Sequence, residues 1–235
     1  AGTNIRYFST AEDPKWEVPD DFDEALPLYL ERMRRHNRLH HEGAFMHWQG
    51  EMMFQLYGWA RFHHRKKDEN GNKLIVRRYR EAIVFAAKKQ GKTPLLSANG
   101  LYLTIGDGEE GAKVAFLAKD GKQARKMVGD HALKMVELSP SLSEECRSQA
   151  DECIIKHDET NSEMFAIAAG NASAADSQHG FDLNGLMMDE LHVVRRVTVN
   201  KFGRSMRART QPVMIKASTA GDNPDSYGKE QFDHA

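Results

Sequence analysis

The stretch EAIVFAAKKQGKTP, residues 81–94, decides how the rest of the chain is read. Glu81 to Ala87 reads as a strand covered on both faces, because a short apolar run bounded by turn-forming residues suits that setting. It leads directly into Lys88-Lys89-Gln90-Gly91-Lys92-Thr93, and Thr93 to Leu103 reads as a helix. A strand, then Gly-Lys-Thr, then a helix is the setting of a phosphate-binding loop. Backbone N–H groups and the helix N-terminus meet phosphate charge in such a loop. Lys92 would reach the β- and γ-phosphates, and the Thr93 hydroxyl would ligate Mg2+. Pro94 suits the first helical turn, where its missing N–H costs little. One position departs from the G-x-x-x-x-G-K-[ST] pattern: Ala86 stands in place of the first glycine. By itself the loop leaves a basic surface turn open as the alternative.

About a hundred residues on, Leu186-Met187-Met188-Asp189-Glu190 is an apolar run ending in two acids. An aspartate at a strand end would hold the Mg2+ shell, and the adjacent glutamate would polarise the attacking water. Neighbouring side chains on a strand point to opposite faces. Asp189 and Glu190 can therefore divide these tasks only if the strand ends there and the backbone turns. The two motifs, in this order, read as an ATPase of the additional-strand class, with Lys113 to Ala118 as the candidate strand between them.

Working outward, a helix is expected from about Phe45 to Trp59, and another over residues 23–41. Glu69-Asn70-Gly71-Asn72 lies between strand-like runs and predicts a hairpin, with Asn-Gly in a type I′ turn. Asp120 to Leu138 reads as a helix opened by an Asp120-x-x-Gln123 capping box. Glu152 to His157 and Met164 to Ala169 read as strands of a hairpin, and Leu183 to Asp189 as another strand. Val193 to Arg209 reads as helical, and Pro212 to Ser218 as the last strand. Alternating strands and helices imply a three-layer αβα arrangement around a mainly parallel sheet. Residues 1–42 read as an N-terminal arm and helix, 43–221 as the ATPase domain, and 222–235 as the start of a linker.

Composition fits this reading. The 235 residues are 40% hydrophobic and 29% charged, with Lys+Arg 33 against Asp+Glu 34 and a net charge of -1. That balance neither requires nor excludes a nucleic-acid partner. Cys146 and Cys153 are too few for a disulfide scaffold and lack zinc spacing, so they are expected to be reduced thiols of a cytoplasmic protein. No apolar run approaches the roughly 18 residues of a membrane span, and Ala1 to Thr10 has no apolar core to make a signal peptide.

In these motifs the chain resembles the ATPase domain of tailed-phage large terminases, from residue 43 to about 221. Trp48-Gln49 with Leu56-Tyr57-Gly58-Trp59 resembles that family's adenine-sensing segment. Lys88 to Thr93 resembles its variant phosphate loop, which also often lacks the first glycine. Asp107 to Ala112 and Gln123-Ala124-Arg125 follow the family's pattern after its first helix. Gly185 to His192 looks like its Walker B segment, and Ser218-Thr219-Ala220-Gly221 like its coupling motif. The resemblance implies nucleotide contacts from Trp48, Gln49, Lys89, Gln90, Gly91, Lys92 and Thr93, with Gln49 on the adenine. It implies Mg2+ at Thr93 and Asp189, and catalysis by Lys92, Lys88 and Glu190. Lys88 stands where many relatives carry arginine, and lysine lacks the planar two-pronged contact. Ser218 and Thr219 would sense the γ-phosphate and relay hydrolysis to movement; core packing for Trp48, a surface amide for Gln49 and a strand-end turn for Ser218-Thr219 are the plainer alternatives.

The implied cofactors are ATP and Mg2+. The implied partners are double-stranded DNA, a portal protein, a small terminase subunit and further copies of the chain in a ring, at work in the host cytoplasm with no membrane. A C-terminal nuclease is expected to be missing, so DNA cutting is not expected of this chain. An arginine finger has no counterpart at Gln178-His179-Gly180; acting from a neighbour, Arg125, Arg195, Arg196, Arg204 or Arg207 would be candidates. Two other readings stay open: a DExH-type helicase lobe, since Asp189-Glu190-Leu191-His192 spells that box, and a nucleotide-binding assembly module without turnover of its own. His36, His40, His41 and His47 crowd together but have no further ligand set, so they read as part of an exposed basic helix. Arg61 to Lys67 and Arg77 to Arg80 could contact DNA phosphates or form a solvated hairpin face.

Overall fold

The computed structural model describes residues 47–67, 69–118, 120–168, 182–219 and 225–234. The expected helix over residues 23–41, the crowded histidines up to His41, Gln178-His179-Gly180 and Ala220-Gly221 lie outside them.

Helix α1 (His47–Tyr57) comes first, followed by strands β1 (Ala60–Lys67) and β2 (Lys73–Arg77), which pair antiparallel as a separate two-stranded sheet. The hairpin is present, but its turn is not type I′. Lys67 pairs with Lys73, which leaves five residues in the loop, and of Asn70 and Gly71 only Gly71 has a positive φ, 84°. A two-residue turn would have forced both into that region.

The main sheet has seven strands. In chain order they are β3 (Glu81–Phe85), β4 (Lys113–Ala118), β5 (Cys146–Gln149), β6 (Ile154–His157), β7 (Ser162–Ala168), β8 (Gly185–Met188) and β9 (Val213–Ser218), and in space β3-β9-β8-β4-β7-β6-β5. The five strands from β3 to β7 in that spatial order run parallel, and β6 and β5 continue antiparallel. The strand between the phosphate-loop strand β3 and the acid-bearing strand β8 is therefore β9. Lys113–Ala118 was expected there; it lies in sequence between the motifs, but in space it flanks β8 on the far side. Its apolar run from Val114 to Ala118 suits a central position, and β9 also fits a central position because its strand is buried throughout.

Helices cover both faces. Helix α2 (Lys92–Leu101) passes into a π-helical segment, Tyr102–Gly106. Helix α3 begins as Gly121–Lys126, continues as a π-helical segment Met127–Leu133 and ends as Lys134–Leu138. The side chain of Gln123 lies outside the described residues, so the capping box has no structural counterpart to report. Short helix α4 (Pro140–Glu145) was not foreseen, although Ser139 accepts from Leu142 N as an N-cap and Pro140 opens the first turn. Helix α5 (Arg196–Ser205) starts later than expected because Val194 and Arg195 are extended, at ψ 136° and 137°. Within the segment read as a linker, Tyr227–His234 forms helix α6.

Strand alternation divides the core in two. Phe116, Met187 and Ile215 face Leu95, Leu101 and Val128 of α2 and α3, with Met53 and Leu56 of α1 beside them. Leu117, Leu186, Met188 and Met214 face Val199 and Phe202 of α5, with Tyr227 of α6 packed against them. This is the three-layer αβα order. Gly100 lets α2 lie close on the sheet: a Cβ there would stand 2.3 Å from Phe116 Cζ, and Phe116 is fully buried.

Candidate nucleotide site

Parallel strands bring the carboxyl ends of β3, β8 and β9 together, which is where open α/β sheets place ligands. The loop Ala86–Gly91 leaves β3 at that edge. Ala86 N still donates to Ser218 O (3.2 Å), so residue 86 continues the sheet ladder, and its φ is not positive. The loop therefore has no conformational need for a glycine there. Its left-handed residues are Lys89 (φ 65°) and Gly91 (φ 74°), with Gln90 between them. Alternating handedness curls a backbone so that successive N–H groups converge, the geometry of an anion nest. Gly91 is also the residue just before α2, so the helix N-terminus opens into the same loop.

Lys92 Nζ donates to Ala86 O (2.8 Å) and Ala87 O (2.7 Å), which lays the ammonium along the inside of the loop. Burial pushes Lys92 below the usual ammonium range, and the charges of Asp189 and Glu190 partly offset it. Gln49 is buried, at 6% exposure, and its Nε2 donates to Gly91 O (3.3 Å), so α1 is pinned to the loop. Trp48, the preceding residue, is half-buried and packs against the core. Lys88 and Lys89 are exposed, and Gln90 is half-buried.

Across from the loop, β8 stops at Met188 and the chain turns. Asp189 is buried at 6% exposure, whereas Glu190 is exposed and left-handed, at φ 53° and ψ 54°. Left-handed backbone in a residue other than glycine is costly and gathers at functional sites. It is held by Glu190 N donating to Asp189 Oδ1 (2.9 Å). Thr93 Oγ1 donates to Asp189 Oδ2 (2.7 Å), so the two motifs, 96 residues apart, meet directly. A hydroxyl and a carboxylate oxygen side by side are hard oxygen ligands, the set that suits Mg2+.

The end of β9 closes the group. Ser218 is fully buried and its Oγ lies 2.9 Å from His192 Nδ1, while Thr219 is half-buried. His192 lies in a short turn, Leu191–Val193, directly after Glu190. Sequence reasoning gave His192 no role of its own in the site; the signal was the order Asp-Glu-Leu-His itself. His131, on the π-helical part of α3, also escaped notice. Burial chiefly lowers its pKa, and Asp189 is among the charges that act on it.

The structure thus gathers Gln49, Gly91, Lys92, Thr93, Asp189, Glu190 and Ser218 around one strand edge. A cleft of about 610 Å³ opens elsewhere, and none of these residues lines it.

The family described as "Terminase large subunit, ATPase domain" matches residues 47–235. Among solved structures, the large terminase of bacteriophage HK97 aligns over 82% of this chain and 37% of its own, at 21% identity and a TM-score of 0.66. The ATPase domain of the Thermus phage P74-26 large terminase, in a point-mutant form, aligns over 77% of this chain and 73% of its own, at 17% identity and a TM-score of 0.50. The chain thus spans little more than a third of the length of the HK97 protein. No curated protein sequence matches it.

Proposed function

The chain belongs to the family of terminase large-subunit ATPase domains, and from this premise we propose that it hydrolyses ATP with Mg2+ at the edge formed by β3, β8 and β9 to drive double-stranded DNA into a procapsid. The observation that carries the reading is the contact of Thr93 with Asp189, 2.7 Å, with Glu190 turned outward beside it. A phosphate loop and a strand-end acid that meet in this way are placed to share one ligand.

The roles follow from geometry and charge. The loop N–H groups and the N-terminus of α2 would hold the phosphates, and Lys92 would exchange its two carbonyl partners for phosphate oxygens. Thr93 and Asp189 would hold Mg2+, which supplies charge neutralisation along the phosphate chain when bound. Among the described residues no three His, Cys, Asp or Glu side chains converge on a metal position; Mg2+ shared with phosphates and waters needs no such protein cage. Glu190, free to point away from Asp189 because the strand has ended, would orient and polarise water for in-line attack. Gln49, which donates to Gly91 O of the loop, would read the base, with Trp48 beside it. Lys89 and Gln90 would contribute backbone contacts, and exposed Lys88 a charge over the γ-phosphate. Ser218 and Thr219 would report the γ-phosphate to the sheet through the contact of Ser218 with His192.

Double-stranded DNA, a portal protein, a small terminase subunit and further copies in a ring are the partners this role calls for. No helix among the described residues is long and apolar enough to cross a membrane; the reading places the work in the host cytoplasm. Residues 222–235, with α6 in them, would lead toward a nuclease domain.

Replacing Glu190 with Gln tests the reading. ATP affinity should stay within about twofold, while turnover should fall by a factor on the order of 10² to 10⁴. Turnover equal to the wild type would refute the role of Glu190.

A further inference from the structure

At the opposite end of the sheet, where the parallel strands begin, cations collect. Residues 61–80 hold eight basic residues, Arg61, Arg65, Lys66, Lys67, Lys73, Arg77, Arg78 and Arg80, against two acids, Asp68 and Glu69, in a chain whose net charge is -1. The β1–β2 hairpin carries most of them. Between the pairs Phe62–Ile75 and Lys67–Lys73, β1 takes five steps where β2 takes two. The extra residues form a bulge, and a bulge re-aims side chains. It is pinned from inside: His63 is buried at 8% exposure, and its Nδ1 accepts from both Arg65 N (3.1 Å) and Lys66 N (2.8 Å). Arg65, Lys66 and Lys67 are exposed on its outer side.

This basic run is joined to a second one. Lys66 Nζ donates to Thr210 Oγ1 (2.6 Å) and Arg80 donates to Thr210 O (3.0 Å), so the hairpin rests on the loop before β9. Arg80 then lines the 610 Å³ cleft together with Arg204 and Arg207, which come from the end of α5 and the turn after it. Four acids near this surface are already engaged: Asp107 with Arg77, Asp182 and Glu109 with Arg209, and Glu81 with Lys216. Among the described residues no carboxylate pairs with Arg65, Lys66, Lys67, Arg80, Arg204 or Arg207. Burial, and then the like charges of Arg61 and Arg77, push Arg80 below its usual range.

We infer that this surface, from the hairpin bulge to the end of α5, grips the phosphate backbone of duplex DNA. Three of the six, Arg80, Arg204 and Arg207, line the cleft and three, Arg65, Lys66 and Lys67, lie on the hairpin bulge, so the cations are spread over a surface and are not all gathered on a single phosphate. Most are exposed, as suits contacts to a regularly charged rod that are indifferent to base sequence. The ATP site is at the other edge, one strand length away, about 20 Å for the six residues of β9. The inference rests on the packaging reading only for its choice of polyanion. It also sets Arg204 and Arg207 on DNA, not on a neighbour's nucleotide.

The test is fluorescence anisotropy of a labelled 30-base-pair duplex with the 235-residue chain, without nucleotide, over a series of salt concentrations. The double variants Lys66→Ala/Lys67→Ala and Arg204→Ala/Arg207→Ala are compared with wild type, and their melting temperatures show that they fold. Each pair should weaken binding at least about fivefold at roughly 0.1 M salt and flatten the slope of log affinity against log salt by about 2, equally for unrelated duplexes. Wild-type affinity in both pairs, or no duplex binding by the wild type at low salt, overturns the inference. So does unchanged DNA affinity in Arg204→Ala/Arg207→Ala together with loss of any rise of ATP turnover with protein concentration, which would give those arginines to a neighbouring copy's nucleotide. A fault in the nucleotide site would appear in ATP affinity and leave the DNA titration unchanged.

Discussion

Single residues carry opposite demands at the nucleotide edge. Lys92 is held partly buried against two carbonyls, at a desolvation cost that lowers its pKa. Functional sites are often less stable than the scaffold would allow. Lys92→Ala should therefore melt no lower than the wild type, a thermal scan being the check, while ATP affinity falls at least roughly a hundredfold for the loss of a charged phosphate contact. Cys146 makes a different test. Burial above all, with Glu145 and Asp158 adding, pushes its thiol up to about 12. A thiol-specific reagent at pH 8 should find neither Cys146 nor buried Cys153 in the native chain, and both in denaturant. Because the unfolded thiol ionises near its ordinary value and the folded one later, stability should fall as pH rises from about 9 to about 12. Rapid modification of Cys146 at pH 8 would show that the site is not closed.

Elements depend on close approach, and one helix shows how closely. Gly100 lies in α2 with Phe116 where a Cβ would be. In a solvent-facing helix, Gly→Ala stabilises by about 1 kcal/mol. Here the sign should reverse: Gly100→Ala should lose about 1–3 kcal/mol in urea unfolding by overpacking. A gain would mean that α2 stands further from the sheet. The sequence announced α2, β3, β4 and β8 because apolar runs, Gly-Lys-Thr and Asp-Glu are local signals. The pairing of Asp189 with Thr93 was legible as two motifs in order. It could not show that β9 separates β3 from β8, since strand order follows from right-handed crossovers and packing over long separations. The bulge in β1 was hidden for a similar reason: the role of His63 as acceptor for two N–H groups exists only once the strand has paired. The edge strand β5 was missed because Arg147, Ser148 and Gln149 have no apolar pattern, and helix α4 because its 6 residues are too few to show a helical period. Helix α6 was missed because its amphipathic face is short and its sequence polar.

At the scale of the whole molecule, the parallel sheet separates the proposed nucleotide edge from the proposed DNA-gripping edge. Its carboxyl edge gathers the loop, the acids and Ser218, and its amino edge carries six cations that no carboxylate pairs with among the described residues. Strand β9 connects them. Ser218 at one end meets His192, and Lys216, buried two residues earlier, donates to Glu81 of β3, Tyr227 OH and Gln231 of α6. Under the proposed coupling role, a change at the γ-phosphate would reach α6 through Ser218, β9 and Lys216, and Ser218→Ala should lower turnover stimulated by DNA more than turnover without it, measured side by side; equal losses would make Ser218 a packing residue only. The measurement closest to the central claim is ATP turnover by the pure chain in Mg2+ across a wide range of protein concentration, with Lys92→Ala alongside. The account predicts ATP binding and Mg2+-dependent turnover that the variant lacks, with a rate per chain that climbs with concentration if a neighbour completes the site. Turnover that survives Lys92→Ala, or a wild-type chain that neither binds nor turns over ATP, would contradict it.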